Sequence, residues 1–163
     1  MTTATSTALP SPAGVRDLLE SLSGRDVTVQ TGARVAVDPR PGSAVATYLS
    51  DDDRLLAVAV LTTPLAGALA GALGLLPAGG VADQVADAEF GAMLVDALHE
   101  VANMLSVLLN QPGAEHVRLV DLHAPGAACP VDVGAAVAGA GVRVDLTASV
   151  PGYGEGGLAV VLV

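Results

Sequence analysis

The sequence lacks lysine and tryptophan altogether, has a single cysteine, and contains only 2% aromatic residues in 163. The lone Cys129 excludes a disulfide framework and a cluster of thiolate metal ligands. Seven basic residues stand against 17 acidic ones, and the net charge is −10. Such a surface repels phosphate backbones, so we expect no binding to nucleic acid. With so few aromatic side chains, the core must be packed by alanine, valine and leucine.

We also expect no secretory signal, because residues 1–14 contain no basic segment followed by an apolar run. Residues 1–10 are mostly threonine, serine and alanine, which predicts a disordered leader. Residues 11–163 have the length of a single domain. Residues 55–82 carry no charge and are long enough to span a bilayer, but Thr62-Thr63-Pro64 interrupts them and favours a strand followed by a helix. We therefore expect a cytoplasmic protein with no membrane contact.

The hydrophobic pattern predicts an α+β fold, with an antiparallel sheet and two long helices packed on one face. Ser11 and Pro12 begin a first helix, and Gly24 ends it. Glycines inside the helix at 64–76 each cost about 1 kcal/mol relative to alanine, which predicts close packing against the sheet or another helix. The second long helix covers residues 90–110. The predicted strands are residues 27–30, 34–37, 44–49, 55–61, 116–123, 142–150 and 158–163.

Most signatures of catalysis and metal binding are absent from the sequence. There is no phosphate loop, no G-x-G-x-x-G at the start of a helix and no H-E-x-x-H. His99 and Glu100 are adjacent, but the second histidine of a zinc motif is missing. The turn Asp51-Asp52-Asp53 lacks the ligand spacing of a calcium loop and is predicted to be a solvated turn. We therefore predict no metal site.

The helix at 90–110 carries three polar residues on one line. At about 100° per residue, Asp96, Glu100 and Asn103 lie within roughly 60° of one another, and His99 and Val107 lie close to the same line. The opposite side is apolar. A solvent-facing stripe has the same pattern, so the helix alone leaves its role open. Asparagine is a poor helix former in an exposed position, which favours a functional role for Asn103.

The pattern D-x-x-x-E-x-x-N formed by Asp96, Glu100 and Asn103, with a proline a little over twenty residues later, resembles the signature of the CheX/CheC family. These are chemotaxis phosphatases that act on phosphorylated CheY-type response regulators. Pro125 stands one residue earlier than the family's usual spacing, and Gly126 occupies the expected place. The order of elements over residues 40–163 also resembles the family, and a single signature is more similar to CheX than to CheC.

The resemblance implies a role for each residue of the line. Asn103 would hold the attacking water, and Glu100 would pair with a lysine of the response regulator. Asp96 and Pro125 would support these two catalytic residues. Residues near the line would contact the docked partner; they are His99, Met104 and Val107.

The resemblance also implies the partners. The protein would act on a phosphorylated CheY-like receiver domain, which would supply Mg²⁺, so the protein would need no cofactor of its own. It would form a homodimer through its sheet, with the terminal strand at 158–163 pairing at an edge. Two alternatives stay open: a non-catalytic module that binds a response regulator, and a structural component related to flagellar switch proteins.

Overall fold

The structure is a computed structural model that describes residues 7–36, 42–139 and 141–163. These residues form five helices and one antiparallel sheet of six strands, in the order β1-β5-β6-β3-β2-β4. This confirms the predicted α+β fold. The helices are α1 (Pro12–Ser23), α2 (Thr63–Leu73), α3 (Ala78–Asp87), α4 (Ala92–Leu109) and α5 (Val131–Ala138). The strands are β1 (Thr28–Thr31), β2 (Ser43–Ser50), β3 (Leu55–Thr62), β4 (Val117–His123), β5 (Arg143–Val150) and β6 (Gly154–Leu162).

Local signals in the sequence determine the first helix and the central hairpin. The N–H of Gly14 donates to Ser11 Oγ at 3.0 Å, and Gly24 ends α1 in the left-handed conformation with φ of 66°. Strands β2 and β3 form the predicted hairpin, and its aspartate turn is exposed. The turn is also paired with the start of β4: His116 Nδ1 lies 2.8 Å from Asp51, and Arg118 pairs with Asp53.

One face of the sheet, which we name the first face, carries Tyr48 and Leu61 and is covered by helices. The two predicted long helices, α2 and α4, pack here together with α1. Close packing explains two glycines of α2, because a Cβ at Gly67 would lie 2.3 Å from Val85 of α3. A Cβ at Gly71 would likewise meet α3 and Tyr153. The small residues of α2 therefore let α3, a helix absent from the sequence-based prediction, lie against it.

The opposite face, which we name the second face, carries a smaller cluster of valines. Val45, Val58 and Val60 project from β2 and β3, and Val133 and Val137 of α5 pack on them. Helix α5 is also absent from the sequence-based prediction, which left residues 135–141 ambiguous. It is short and rich in alanine and glycine, so its sequence alone contains little helical signal.

One predicted strand is absent, and the predicted edge position of another is wrong. Residues 34–36 form no strand, and residue 37 lies outside the described residues. The N–H of Val35 donates to a side chain, Asp145 Oδ1 at 2.8 Å, and not to the backbone of a neighbouring strand. The strand that pairs with β1 is β5. The terminal strand β6 is also not an edge strand, because it lies between β5 and β3 and pairs with both. The sheet's edges are β1 and β4.

The uncharged segment at 55–82 does not form one helix. It divides into β3, α2 and the start of α3, as its Thr-Thr-Pro interruption predicts. Among the described residues, Ala92–Leu109 is the one helix long and apolar enough to cross a membrane by length and composition, with a mean hydropathy of 1.5. The apolar side of this helix is buried in the first-face core, and a core helix of this kind passes the same test. The predicted disordered leader lies largely outside the described residues.

Candidate functional site on helix α4

Helix α4 is fixed to the rest of the fold at both ends and near its middle. The N–H of Gly91, its N-cap, donates to Gln84 Oε1 at 2.7 Å. At the other end, Asn110 exchanges two hydrogen bonds with the backbone of Val117, at 2.9 and 2.8 Å. Near the middle, the hydroxyl of the fully buried Tyr48 donates to the carbonyl of Ala102 at 2.6 Å. The helix is therefore a rigid support for its exposed side chains.

The structure brings together the three polar residues of the predicted line. Asp96, Glu100 and Asn103 are all exposed, whereas Leu98 and Leu105 on the other side of α4 are buried. At 1.5 Å of rise per residue, the line extends about 10 Å along the helix from Asp96 to Asn103. None of its three side chains forms a hydrogen bond or an ion pair with another residue of the described ranges. Their carboxylate and carboxamide groups therefore face solvent, available to a partner.

The residues predicted to contact a partner differ in their exposure. His99 is exposed, and Val107 is 52% exposed. Met104 is only partly accessible. Met93, to which the sequence analysis gave no role, is 70% exposed on the same side of α4. Its position three residues before Asp96, about 60° away around the helix, was the signal that could have found it.

Pro125 lies in the loop between β4 and α5 and is buried. With Gly126 it lines a cavity of ≈ 450 Å³, whose other wall is the loop before α4. A Cβ on Gly126, which has φ of 98°, would lie 3.3 Å from the carbonyl oxygen of Ala88. No residue of α4 lines this cavity. Pro125 therefore lies beside the segment leading into α4, in a cavity that Asn103 does not line.

Solved structures provide the comparison, since no family model and no curated protein matches the sequence. The FliM middle domain from H. pylori matches with a TM-score of 0.60 at 9% identity, over 93% of this chain and 84% of that chain. Thermotoga maritima FliY matches at 0.58 and 13% identity, over 90% and 80%. The CheX–CheY–BeF3–Mg²⁺ complex from Borrelia burgdorferi matches at 0.51 and 10% identity, over 90% of both chains.

The protein has a CheX/CheC-like fold. This confirms the fold that the signature on α4 suggested, and FliM middle domains share it. At identities near 10%, these comparisons establish the fold but not the activity.

The groups with shifted pKa values in this CheX-like fold lie away from the polar line. Burial raises the pKa of Cys129, and the negative charge of Asp132 raises it further, against a smaller lowering by a backbone hydrogen bond from Gly134. Burial also raises the pKa of Tyr48. Burial opposes ionisation of Asp145, but hydrogen bonds from Arg143 and the N–H of Val35, with the charges of Arg143 and Arg34, outweigh it and lower its pKa.

Other polar groups of the CheX-like fold offer little further chemistry. Within the described residues, no group of three or more histidine, cysteine, aspartate or glutamate side chains is arranged to hold a metal ion. A cavity of ≈ 170 Å³ on the second face is lined by Thr47, Asp121, His123 and Asp132 among others. Nε2 of His123 is buried there without a hydrogen-bond partner in the described chain.

Proposed function

We propose that this protein is a phosphatase that hydrolyses the aspartyl phosphate of a CheY-type response regulator. One observation carries the proposal: Glu100 and Asn103 stand about one turn apart, exposed and without partners among the described residues, on a rigid helix of a CheX-like fold. The complex of Borrelia CheX with CheY, BeF3 and Mg²⁺ supports a receiver domain as the partner. In this proposal the protein works in the cytoplasm.

The chemistry requires few groups from the phosphatase. An aspartyl phosphate is a reactive acyl phosphate, and its hydrolysis needs a water molecule in line with the P–O bond and neutralised charge. The water oxygen bonds to phosphorus, the bond to the aspartyl oxygen breaks, and that carboxylate leaves with the electron pair. The receiver domain contributes its own lysine and Mg²⁺. A protein nucleophile and a cofactor of this chain's own are therefore unnecessary.

Each residue of the line has a role that fits its chemistry. The carboxamide of Asn103 can accept a hydrogen bond from the water while donating to a phosphoryl oxygen. The carboxylate of Glu100 accepts a charge-assisted hydrogen bond from the receiver's lysine. Asp96, a further turn back, extends this contact. Pro125 acts from a distance by supporting the segment that leads into α4.

Phosphate release from a phosphorylated CheY-type receiver tests the proposal. Asn103→Asp keeps the shape of the side chain but removes its N–H donors, and we expect its acceleration of phosphate release to fall about 100-fold, as for the loss of a catalytic hydrogen-bond donor. Glu100→Ala should also reduce it strongly. Asp83→Ala is the matched control, because Asp83 is an exposed carboxylate on the neighbouring helix α3. Equal rates for wild type and Asn103→Asp would refute the catalytic assignment.

A second candidate is a non-catalytic interaction module like a flagellar switch component. The TM-scores for the FliM middle domain (0.60) and FliY (0.58) exceed that for the CheX complex (0.51), which favours this alternative. It predicts that the wild-type protein binds a receiver or a switch protein without accelerating phosphate release. The same assay, run beside a binding measurement, separates the two functions.

A homodimer stays part of the phosphatase proposal. Because β6 is central, pairing of two sheets would have to use β1 or β4. Strand β4 is the longer of these two edges. Sedimentation equilibrium tests the dimer, and Val120→Pro on β4 should convert it to a monomer if this edge pairs.

A further inference from the structure

We propose that Leu75 and Met93 form an apolar patch that docks the receiver domain beside the polar line; the inference rests on the proposed partner. Leu75 is 85% exposed and Met93 is 70% exposed. Neither residue belongs to the signature on α4, and the comparisons with solved structures give neither of them a role. The patch would contribute affinity for the receiver, while Glu100 and Asn103 carry out the chemistry.

The backbone of Leu75 shows that its side chain is displayed at a cost. Leu75 follows the end of α2 in the left-handed conformation, with φ of 51°. The N–H of Leu76 donates back to the carbonyl of Gly71 at 2.9 Å, which closes the last turn of the helix. Glycine is the usual residue at this position, and the left-handed conformation costs other residues about 1–2 kcal/mol. The chain therefore keeps a large apolar side chain where glycine would be more stable.

The end of α2 lies against the flank of α4 that carries Met93. A Cβ on Gly74 would lie 3.6 Å from the Cβ of Ala97. Ala97 is one helical turn from Met93 on one side and from Glu100 on the other. The hydroxyl of Tyr153 donates to the carbonyl of Leu76 at 2.7 Å and holds this turn in place. Leu75 therefore projects from a fixed turn next to the polar line.

The patch and the polar line together match what a protein partner needs. Met93 lies about 20° around the helix from Glu100 and roughly 10 Å along the axis from it. Protein interfaces bury an apolar core within a polar rim and are enriched in methionine. The carboxylates of Asp96 and Glu100 complement a receiver that presents a lysine at its phosphorylation site, so a receiver domain is the occupant that the charges favour.

Four variants test the patch by steady-state phosphate release at varied concentrations of the phosphorylated receiver. We expect Leu75→Gly and Met93→Ser each to raise KM about 5- to 10-fold, as for the loss of an interface anchor, with kcat changed less than about two-fold. Leu75→Gly relieves the left-handed strain, so its thermal stability should equal or exceed that of wild type. Val131→Ser and Val142→Ser are matched controls, because these exposed valines lie at the start of α5 and just before β5.

Binding of the beryllofluoride-treated receiver separates a failure of this inference from a failure of the proposed phosphatase. If the wild type binds this receiver without accelerating phosphate release, catalysis is refuted while weaker binding by Leu75→Gly and Met93→Ser still supports the patch. Unchanged KM and binding in both variants would overturn the patch, as would an equal loss in the two control variants. Absence of receiver binding by the wild type would overturn both proposals.

Discussion

The two faces of the sheet hold their helices by different interactions. On the first face, α1, α2 and α4 are held mainly by apolar contact, and Leu19, Leu69 and Leu98 are buried almost completely. On the second face, α5 packs with two buried valines and its last carbonyls accept hydrogen bonds from two arginines. Arg34 donates to the carbonyl of Gly139 at 3.1 Å, and Arg143 donates to that of Val137 at 2.8 Å.

This difference indicates which face supports the candidate site. The exposed line on α4 belongs to the first face, where a broad apolar core positions the helix without relying on charges. The second face depends on the pair of Arg143 and Asp145, whose side chains are 8% and 16% exposed. Removal of a charge from this pair should therefore destabilise the second face without changing the activity that we propose for α4. Replacing a helix glycine by alanine should destabilise the protein on the first face and stabilise it on the second.

Asp145→Ala should have the largest effect on stability. It leaves the guanidinium of Arg143 without its carboxylate partner and removes the acceptor of the Val35 N–H. The pair is only partly buried and Arg143 keeps its hydrogen bonds to two backbone carbonyls, so the cost should lie below that of a fully buried pair. We expect a loss of about 2–3 kcal/mol in the free energy of unfolding, which urea unfolding measures. Phosphate release per folded molecule should equal that of wild type at a temperature where both are folded. A selective loss of activity would contradict the separation of the two faces.

Asp53→Asn is the control for this prediction, because the left-handed conformation of Asp53, with φ of 60°, suits asparagine better than alanine. Asp53 also pairs with an arginine, Arg118, but these side chains are 72% and 46% exposed. Exposed pairs contribute about 0–1 kcal/mol, so this variant should unfold at nearly the wild-type urea concentration. A cost similar to that of Asp145→Ala would show that loss of negative charge, and not burial of the pair, explains the effect.

The same substitution in a helix of each face should have opposite effects. Gly67→Ala in α2 places a Cβ 2.3 Å from Val85, so overpacking should cost about 1–3 kcal/mol. Gly134→Ala in α5 places a Cβ where no atom lies within 4 Å, and the gain in helix propensity should stabilise the protein by about 1 kcal/mol. Thermal unfolding of both variants provides the measurement. Changes of the same sign would refute the difference in packing between the faces.

The elements that the sequence predicted well depend on local chemistry. The serine cap and the glycine stop define α1, and helical periodicity alone predicts the exposed line from Asp96 to Asn103 and the buried side of α4. The strands of the central hairpin follow from two β-rich runs around a polar turn. In each case the deciding residues lie within a few positions of one another, so no knowledge of the rest of the fold is needed.

The elements that the sequence missed depend on distant neighbours. Helix α5 is weakly helical by itself and is held by arginines from other segments. The terminal strand was expected at an edge because it is apolar, but an apolar strand also suits the centre of a sheet, and strand order is not a local property. The exposure of Leu75 follows from a left-handed turn after α2 that ordinarily contains glycine. Met93 is different, because the helical periodicity already contained its position.

Tyr48→Phe should have a small effect and tests how the first face holds α4. The variant removes the buried hydrogen bond to Ala102, the residue before Asn103, and should cost about 1 kcal/mol at neutral pH. Burial raises the pKa of Tyr48 in the folded protein. As the pH rises above about 10, the ordinary pKa of tyrosine, the unfolded wild-type chain loses this proton before the folded protein does. The free energy of unfolding of the wild type therefore decreases as the pH rises from about 10 towards the pKa of Tyr48 in the folded protein.

Because the phenylalanine variant lacks this proton, the stability difference between wild type and Tyr48→Phe should narrow as the pH rises. Urea unfolding at pH values near 7.5 and 10.5 measures this difference in the free energy of unfolding. Tyr153 is present in both proteins, so its ionisation contributes equally to both and does not affect the difference. A difference that stays constant would mean that Tyr48 has the same pKa in the folded and unfolded protein and is therefore exposed in the folded state. In that case its hydroxyl would not hold the middle of α4, and only the hydrogen bonds at the two ends of α4 would fix the helix that carries the polar line.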